Sequence, residues 1–209
     1  HQDKQHYNTT IKALNLGYDV LLEKPMTPDA KECMDLEACA KENGVNLMVC
    51  HVLRYTKFFE KIKQLVEEKV IGDLVGFDHR ENIGHYHMAH SFVRGNWRNA
   101  SETSPLILAK TCHDMDIITW LVDDECTAVY SSGDLSYFNK NNAPEGSSKK
   151  CLDCKFKEEC IFSAKKVYLD RCNDVWPINT LCANPTYDNV KAILDTTSYG
   201  TCVWKVDDN

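Results

Sequence analysis

The chain lacks any apolar run approaching the ~20 residues that cross a bilayer, and no leader of basic, apolar and small-residue segments opens it. Neither a membrane span nor a secretory leader is therefore expected. Basic charge is not in excess either. The formal net charge is −7, which leaves no electrostatic case for nucleic acid or an anionic membrane as partner. The lysines alternate with acids, as in Glu60-Lys61-Ile62-Lys63 and Glu67-Glu68-Lys69, the pattern of solvated helix faces. Internal repeats are absent.

What is present is ordinary globular material. Over 209 residues, 43% are apolar and 26% charged, enough for a real core in one large domain or in pieces of two. The first residue is His1 rather than Met, and a helical pattern starts within a few positions, which reads as the beginning of a fragment.

Cysteine is the residue in surplus, with eleven. Six stand singly among apolar neighbours (Cys33, Cys39, Cys50, Cys112, Cys126, Cys202), where a free thiol behaves as a small hydrophobe. An odd total with no secretory segment favours a reducing cytoplasm over a disulfide framework. The other five fall between Cys151 and Cys182.

The spacing predicts a helix over 4–16 stopped by Gly17, then a short apolar strand over Tyr18–Glu23, the pattern of a strand buried on both faces. Thr27-Pro28 reads as an N-cap and first helical position for a helix to about Asn43, ended by Gly44. Val45–Cys50 is a second buried strand. Helix, strand, helix, strand is half of a doubly wound α/β sheet. Beyond it, a helix ends near Lys69 and a strand pattern covers Leu74–Asn82. A polar, aromatic loop (IGHYHMAHSFVRGNWRN) follows, then a helix from Ser104-Pro105 to about Val122. A strand over Ala128–Tyr137, a surface loop at Asn139–Lys150, a helix over Tyr187–Thr197 and a strand over Gly200–Asn209 complete the reading. The change of pattern near Val49–Arg54 divides the chain into a domain at 1–50 and a second, α+β domain at 51–209, with a cysteine-rich insert at 151–182.

Three segments carry a family resemblance. The first is His6, Ala13-Leu14, Gly17 and Val20-Leu21-Leu22-Glu23-Lys24-Pro25. The second is Asn96-Trp97-Arg98 with Arg94 before it. The third is Lys110-Thr111-Cys112-His113-Asp114-Met115-Asp116, with Thr119-Trp120-Leu121 in the last turn of its helix. In this order they resemble the Glu-Lys-Pro, Trp-Arg and His-x-x-Asp motifs of the glucose-fructose oxidoreductase / inositol dehydrogenase (Gfo/Idh/MocA) family, over essentially the whole chain. The resemblance implies the C-terminal half of a Rossmann-type NAD- or NADP-binding domain, followed by a partial α+β domain with a mainly antiparallel sheet. It implies a cytoplasmic oxidoreductase that moves a hydride between nicotinamide and a carbinol of a sugar, polyol or related small molecule, forming a homo-oligomer when full length. The glycine-rich phosphate loop would lie before His1, so the fragment alone is expected to bind dinucleotide poorly and to be inactive.

The residues themselves support part of this. Ligands of open α/β sheets sit beyond the carboxyl ends of the strands. Lys24 falls just past such an end, and Pro25 stops the strand in a turn that a cis Lys24–Pro25 bond would suit. Equally, Glu23-Lys24-Pro25 can merely end a strand in solvent. On its helix, His113 shares a face with Lys110 and Asp116, three titratable groups that packing alone explains poorly. By resemblance, Lys24 handles the substrate proton, His113 hydrogen-bonds the reacting oxygen, and Lys110 is a further catalytic candidate. Glu23, Lys24, Pro25, Trp97 and Arg98 border the cofactor. Many relatives carry an Asp four residues before the His; here that residue is Ala109. His87, His90 and Asp116 are substrate-contact candidates, with Arg54 within reach of the same cleft, and the spacing of His85, His87 and His90 suits no familiar zinc pattern.

Cys151, Cys154 and Cys160 form a C-x2-C-x5-C set for which a structural zinc, with Cys172 or Cys182 as fourth ligand, competes with free thiols in an irregular surface excursion. Two further functional readings stay open: an NAD-dependent glycosidase of the same fold, and a non-catalytic metal- or redox-sensing protein built on this insert.

Overall fold

The structure, a computed structural model, describes residues 1–173 and 175–206. Contacts divide the chain into two units, one of His1–Asn82 with Ala100–Ser131 and another of Ile83–Asn99 with Ser132–Asn209.

In the first unit, helix α1 (His6–Asn15) buries His6, Thr10 and Leu14 at four-residue spacing, and Gly17 leaves it with φ 81°. Strand β1 (Val20–Leu22) follows. The cap of helix α2 (Ala30–Asn43) is Asp29 rather than Thr27: its carboxylate accepts from Lys31 N and Glu32 N. A carboxylate satisfies two orphan donors of the first turn and suits the positive end of the helix dipole. Thr27 instead accepts from Asp29 N and donates to Glu32. Gly44 ends α2 at φ 65°, a left-handed position that only glycine takes without strain. Strand β2 (Leu47–Val49) pairs parallel with β1, Leu22 beside Val49. Leu14, Leu22, Leu36, Cys39 and Ala40 close the core of this βα layer.

A 3-10 turn at Val52–Tyr55 leads into helix α3 (Lys57–Glu67), capped by Thr56. The strand expected over Leu74–Asn82 does not form. Residues 74–84 have no regular hydrogen-bonded structure, because no partner edge meets them among the described residues, and Val75 is 98% exposed. The helix expected from Ser104 to Val122 is broken in two, a turn at Leu106–Ala109 and helix α4 (Cys112–Val122), which buries Asp114, Ile117 and Leu121.

In the second unit the expected loop after Asn82 is helical. One turn at His85–His87 runs into a π-helix at Met88–Arg94, then a 3-10 turn at Asn96–Arg98. Ala89 and Val93 pack with Phe162, Val203 and Trp204. The wider π spacing explains why the segment shows no 3.6-residue period. The strand expected over Ala128–Tyr137 is also missing: residues 125–136 are irregular, with Tyr130 at 91% exposure. The cysteine-rich insert is no surface excursion, since Cys151, Ala164, Tyr168, Leu169 and Ile178 form a core with Val190 and Leu194 of helix α5 (Tyr187–Thr196). The final strand is reduced to one antiparallel bridge, Lys150 with Thr201, and residues 207–209 lie outside the described ones.

Candidate active site

Lys24 lies two residues beyond the last paired residue of β1, and His51 stands at the same offset beyond β2, because Leu22 and Val49 are in register. Both therefore leave the sheet at its carboxyl end, where ligands of such sheets bind. The Lys24–Pro25 bond is cis, and His6 Nδ1 holds the Pro25 carbonyl oxygen at 2.9 Å, fixing the turn that aims Lys24. Glu23 is exposed and its carboxylate accepts from Lys24 N at 3.3 Å.

The break before α4 supplies the partner. In a continuous helix the Ala109 carbonyl would accept from His113 N. Here His113 N donates to Lys110 O at 3.3 Å, and Lys24 Nζ takes the freed Ala109 oxygen at 2.8 Å. The first turn of α4 thus brings His113 near the Lys24 ammonium. Burial lowers the His113 pKa, and the Lys24, His51 and Lys110 charges lower it further, with Asp114 opposing. The imidazole is held neutral below the usual histidine range.

The surrounding groups are tied to this cluster. Arg54 grips Asp116 with two hydrogen bonds, 2.8 Å to Oδ2 and 2.5 Å to Oδ1. His51 Nε2 lies 3.9 Å from the same carboxylate, and its ring meets His113 edge-on at 6.1 Å between centroids. Lys110 pairs with Glu81 at 3.2 Å and His79 with Asp114 at 2.5 Å, both from the irregular 74–82 segment. His51 Nδ1, His113 Nδ1 and Asp114 Oδ2 are buried without hydrogen-bond partners. Such orphaned atoms are costly, and a polar group brought to them would satisfy them.

Lys24, Lys110, His113 and Asp116 thus come together in the first unit, joined by His51, which the sequence reading missed. The signal was available, since His51 follows β2 as Lys24 follows β1. The other candidates belong to the second unit. His90 is buried at 4% exposure, with Tyr168 Oη 2.9 Å from Nδ1 and Thr180 Oγ1 3.2 Å from Nε2. Burial, aided by the His87 and Arg94 charges, lowers its pKa to about 4, the mark of a neutral core residue. His87 packs against Trp176 at 5.1 Å, Trp97 sits 6.2 Å from Phe92, and Arg98 Nη1 donates to Gly95 O at 3.4 Å. Among the described residues no group of three or more His, Cys, Asp or Glu side chains could hold a metal ion, so of the two readings of Cys151, Cys154 and Cys160 the zinc site is not supported. The fourth ligands named for it are placed otherwise. Cys172 donates to Pro185 O, and it packs with Cys182 against the Tyr168 core.

Comparison with known proteins gives the family. The profile of the oxidoreductase family with an NAD-binding Rossmann fold matches residues 1–51, and that of its C-terminal alpha/beta domain matches residues 63–198. The chain belongs to the Gfo/Idh/MocA oxidoreductase family. Among curated relatives, a protein of Bacillus subtilis named as an oxidoreductase, YteT, is 30% identical over 78% of this chain and 39% of its own length. An inositol 2-dehydrogenase/D-chiro-inositol 3-dehydrogenase of Lactiplantibacillus plantarum is 29% identical over 59% of this chain and 32% of its own. The chain therefore spans well under half of the relatives it matches. A crystal structure of apo scyllo-inositol dehydrogenase from Lactobacillus casei is 23% identical over 59% of this chain and 34% of that one, with a TM-score of 0.46. No helix among the described residues is long and apolar enough to cross a membrane.

Proposed function

We propose that the complete protein is an NAD- or NADP-dependent dehydrogenase acting on a secondary hydroxyl of a polyol or sugar-like molecule. The observation that carries this reading is the meeting of Lys24 and His113 at the carboxyl end of the β1–β2 pair. The orphaned His51, His113 and Asp114 atoms suit a ligand rich in hydrogen-bonding groups, and the strand ends are where a nicotinamide ring would be held. The dinucleotide, when bound, accepts the hydride.

The chain's own residues do the rest. Lys24, relieved of its proton, takes the hydroxyl proton as the carbinol becomes a carbonyl. His113, kept neutral, donates from its ring N–H to the reacting oxygen and holds it toward Lys24. Lys110 and Asp116 contact neighbouring hydroxyls, with Arg54 fixing the Asp116 carboxylate. Glu23, Pro25, Trp97 and Arg98 are assigned to the cofactor on family resemblance. That two curated relatives are named inositol dehydrogenases makes cyclic polyols the first substrates to test.

The test is absorbance at 340 nm with the complete protein, NAD+ or NADP+, and a panel of inositols and aldoses. Reduction of the nucleotide by wild type and its loss in Lys24→Ala is the expected result. Cleavage of a glycoside with no net reduced nucleotide would replace this reading with that of a redox-assisted glycosidase.

A further inference from the structure

Among the described residues, six buried side-chain polar atoms have no hydrogen-bond partner. Three belong to the candidate active site. The other three, Arg94 Nη1, Ser147 Oγ and Ser163 Oγ, belong to the second unit. Ser147 and Ser163 line a cavity of about 40 Å3 together with Cys151, Cys154, Cys160 and Cys202. One water needs about 10–15 Å3 of such space, so hydrogen peroxide fits and an oxidant as large as glutathione disulfide does not.

Two of these thiols can reach each other. Cys154 N closes a turn onto Cys151 O at 3.2 Å. The end Cα atoms of such a four-residue turn lie under about 7 Å apart, and a disulfide spans about 4.4–6.8 Å. Both are free thiols. Cys151 is also set against a cation. Arg94, 1% exposed, donates to Cys151 Sγ at 3.2 Å and to Thr201 O and Phe162 O at 2.7 Å each, and no carboxylate among the described residues pairs with it. A guanidinium buried without a counter-charge is expensive. A thiolate formed beside it would supply that charge, and the thiolate is the nucleophilic form. Burial pushes the Cys202 thiol up, which leaves it a protonated bystander. Ser163, 1% exposed, turns an unpartnered hydroxyl to the same space, a donor for a departing oxygen.

We infer that Cys151 and Cys154 are a peroxide-reactive dithiol, with Cys151 attacking, Cys154 resolving, and Arg94 positioning the attacking sulfur. Cys151 gives its proton to solvent and its sulfur takes one oxygen of hydrogen peroxide. The S–O bond forms, the O–O bond breaks, and the departing hydroxide picks up a proton and leaves as water. Sulfur loses two electrons to the peroxide and becomes a sulfenic acid. Cys154 Sγ then attacks that sulfur. The S–S bond forms, the S–O bond breaks, and the hydroxyl leaves with the Cys154 proton as a second water. Two thiols and one peroxide thus give one disulfide and two waters. The bridge engages the very sulfur that Arg94 holds, so oxidation acts on the contact linking the Met88–Arg94 helix to the cysteine-rich insert.

The test treats the full chain, reduced and then freed of reductant, with equimolar hydrogen peroxide, followed by alkylation and peptide mass mapping. Loss of two of the eleven thiols as a Cys151–Cys154 link is expected, reversed by dithiothreitol. Cys126, which is exposed, is the internal comparator. Burial alone would make Cys126 react first, whereas the arrangement around Arg94 makes Cys151 faster by about tenfold. Cys154→Ser should stop at a Cys151 sulfenic acid that dimedone traps, and Arg94→Lys should slow Cys151 while Cys126 keeps its rate. Should either variant fail to fold, the wild-type map decides alone. Full alkylation of Cys151 and Cys154 after peroxide, a bridge between other cysteines, Cys126 oxidised ahead of Cys151, or equal reaction with glutathione disulfide overturns the proposal.

Discussion

The Lys24 ammonium donates to the carbonyl oxygen of Ala109 at 2.8 Å, the oxygen that a continuous helix would have given to His113 N. One interruption in a helix thus frees an acceptor for the lysine and sets the imidazole beside it. If Lys24 moves the substrate proton, Lys24→Ala in the complete protein lowers kcat by about 10²–10⁴ while the dissociation constant for reduced nucleotide changes little. Steady-state kinetics with a parallel binding titration checks both. Equal loss of nucleotide binding would make Lys24 a cofactor ligand instead.

Position 109 carries alanine where the family resemblance implies aspartate, and Lys24 already touches its backbone. Ala109→Asp should place a carboxylate beside both Lys24 and His113. An added negative charge stabilises the imidazolium, so the depressed His113 pKa rises. Because the neutral ring is the working form, the acid limb of kcat/KM moves to higher pH. A pH–rate profile reads this directly, and a limb that stays in place would mean the new carboxylate does not sense the ring.

Arg54 and Asp116 predict an asymmetry in stability. The Asp116 side chain is 8% exposed and that of Arg54 36%, so each deletion leaves a different charge behind. Arg54→Ala strands a buried carboxylate and should cost about 2 kcal/mol. Asp116→Ala leaves a guanidinium that can turn to water, and should cost less. Denaturant unfolding of both variants gives the comparison.

The core imidazole of His90 titrates near 4 in the folded chain and near its ordinary 6.5 when unfolded. Protons are then bound preferentially by the unfolded state between these values. Stability is full above pH ~6.5 and falls as the pH drops toward ~4, by a limit of order 3 kcal/mol. His90→Gln, which keeps polar atoms near Tyr168 and Thr180, should flatten that part of the stability curve. An unchanged slope would assign it to other groups.

Local signals were legible where the chain closes its own contacts. Gly17 and Gly44 stop α1 and α2, and the apolar runs at Val20–Leu22 and Leu47–Val49 pair in parallel, so Lys24 could be placed from sequence. Two kinds of feature were not legible. Strands at 74–82 and 128–137 need an edge to pair with, and alternation alone supplies none. The π-helix over Met88–Arg94 has no periodic signature, so its histidine, His90, looked available to substrate when it is packed. The break at Lys110-Thr111 was hidden for a related reason, since the side chains engaging it, Lys24 and Glu81, come from elsewhere in the chain.

The irregular runs at 74–84 and 125–136 hold Val75, Val129 and Tyr130 in water, with backbone donors and acceptors that no ladder among the described residues claims. Such stretches are templates waiting for an edge. Handled as it is, this polypeptide should self-associate as concentration rises, adding molecules side by side through main-chain pairing, and one charged residue in place of Val129 should keep it dispersed.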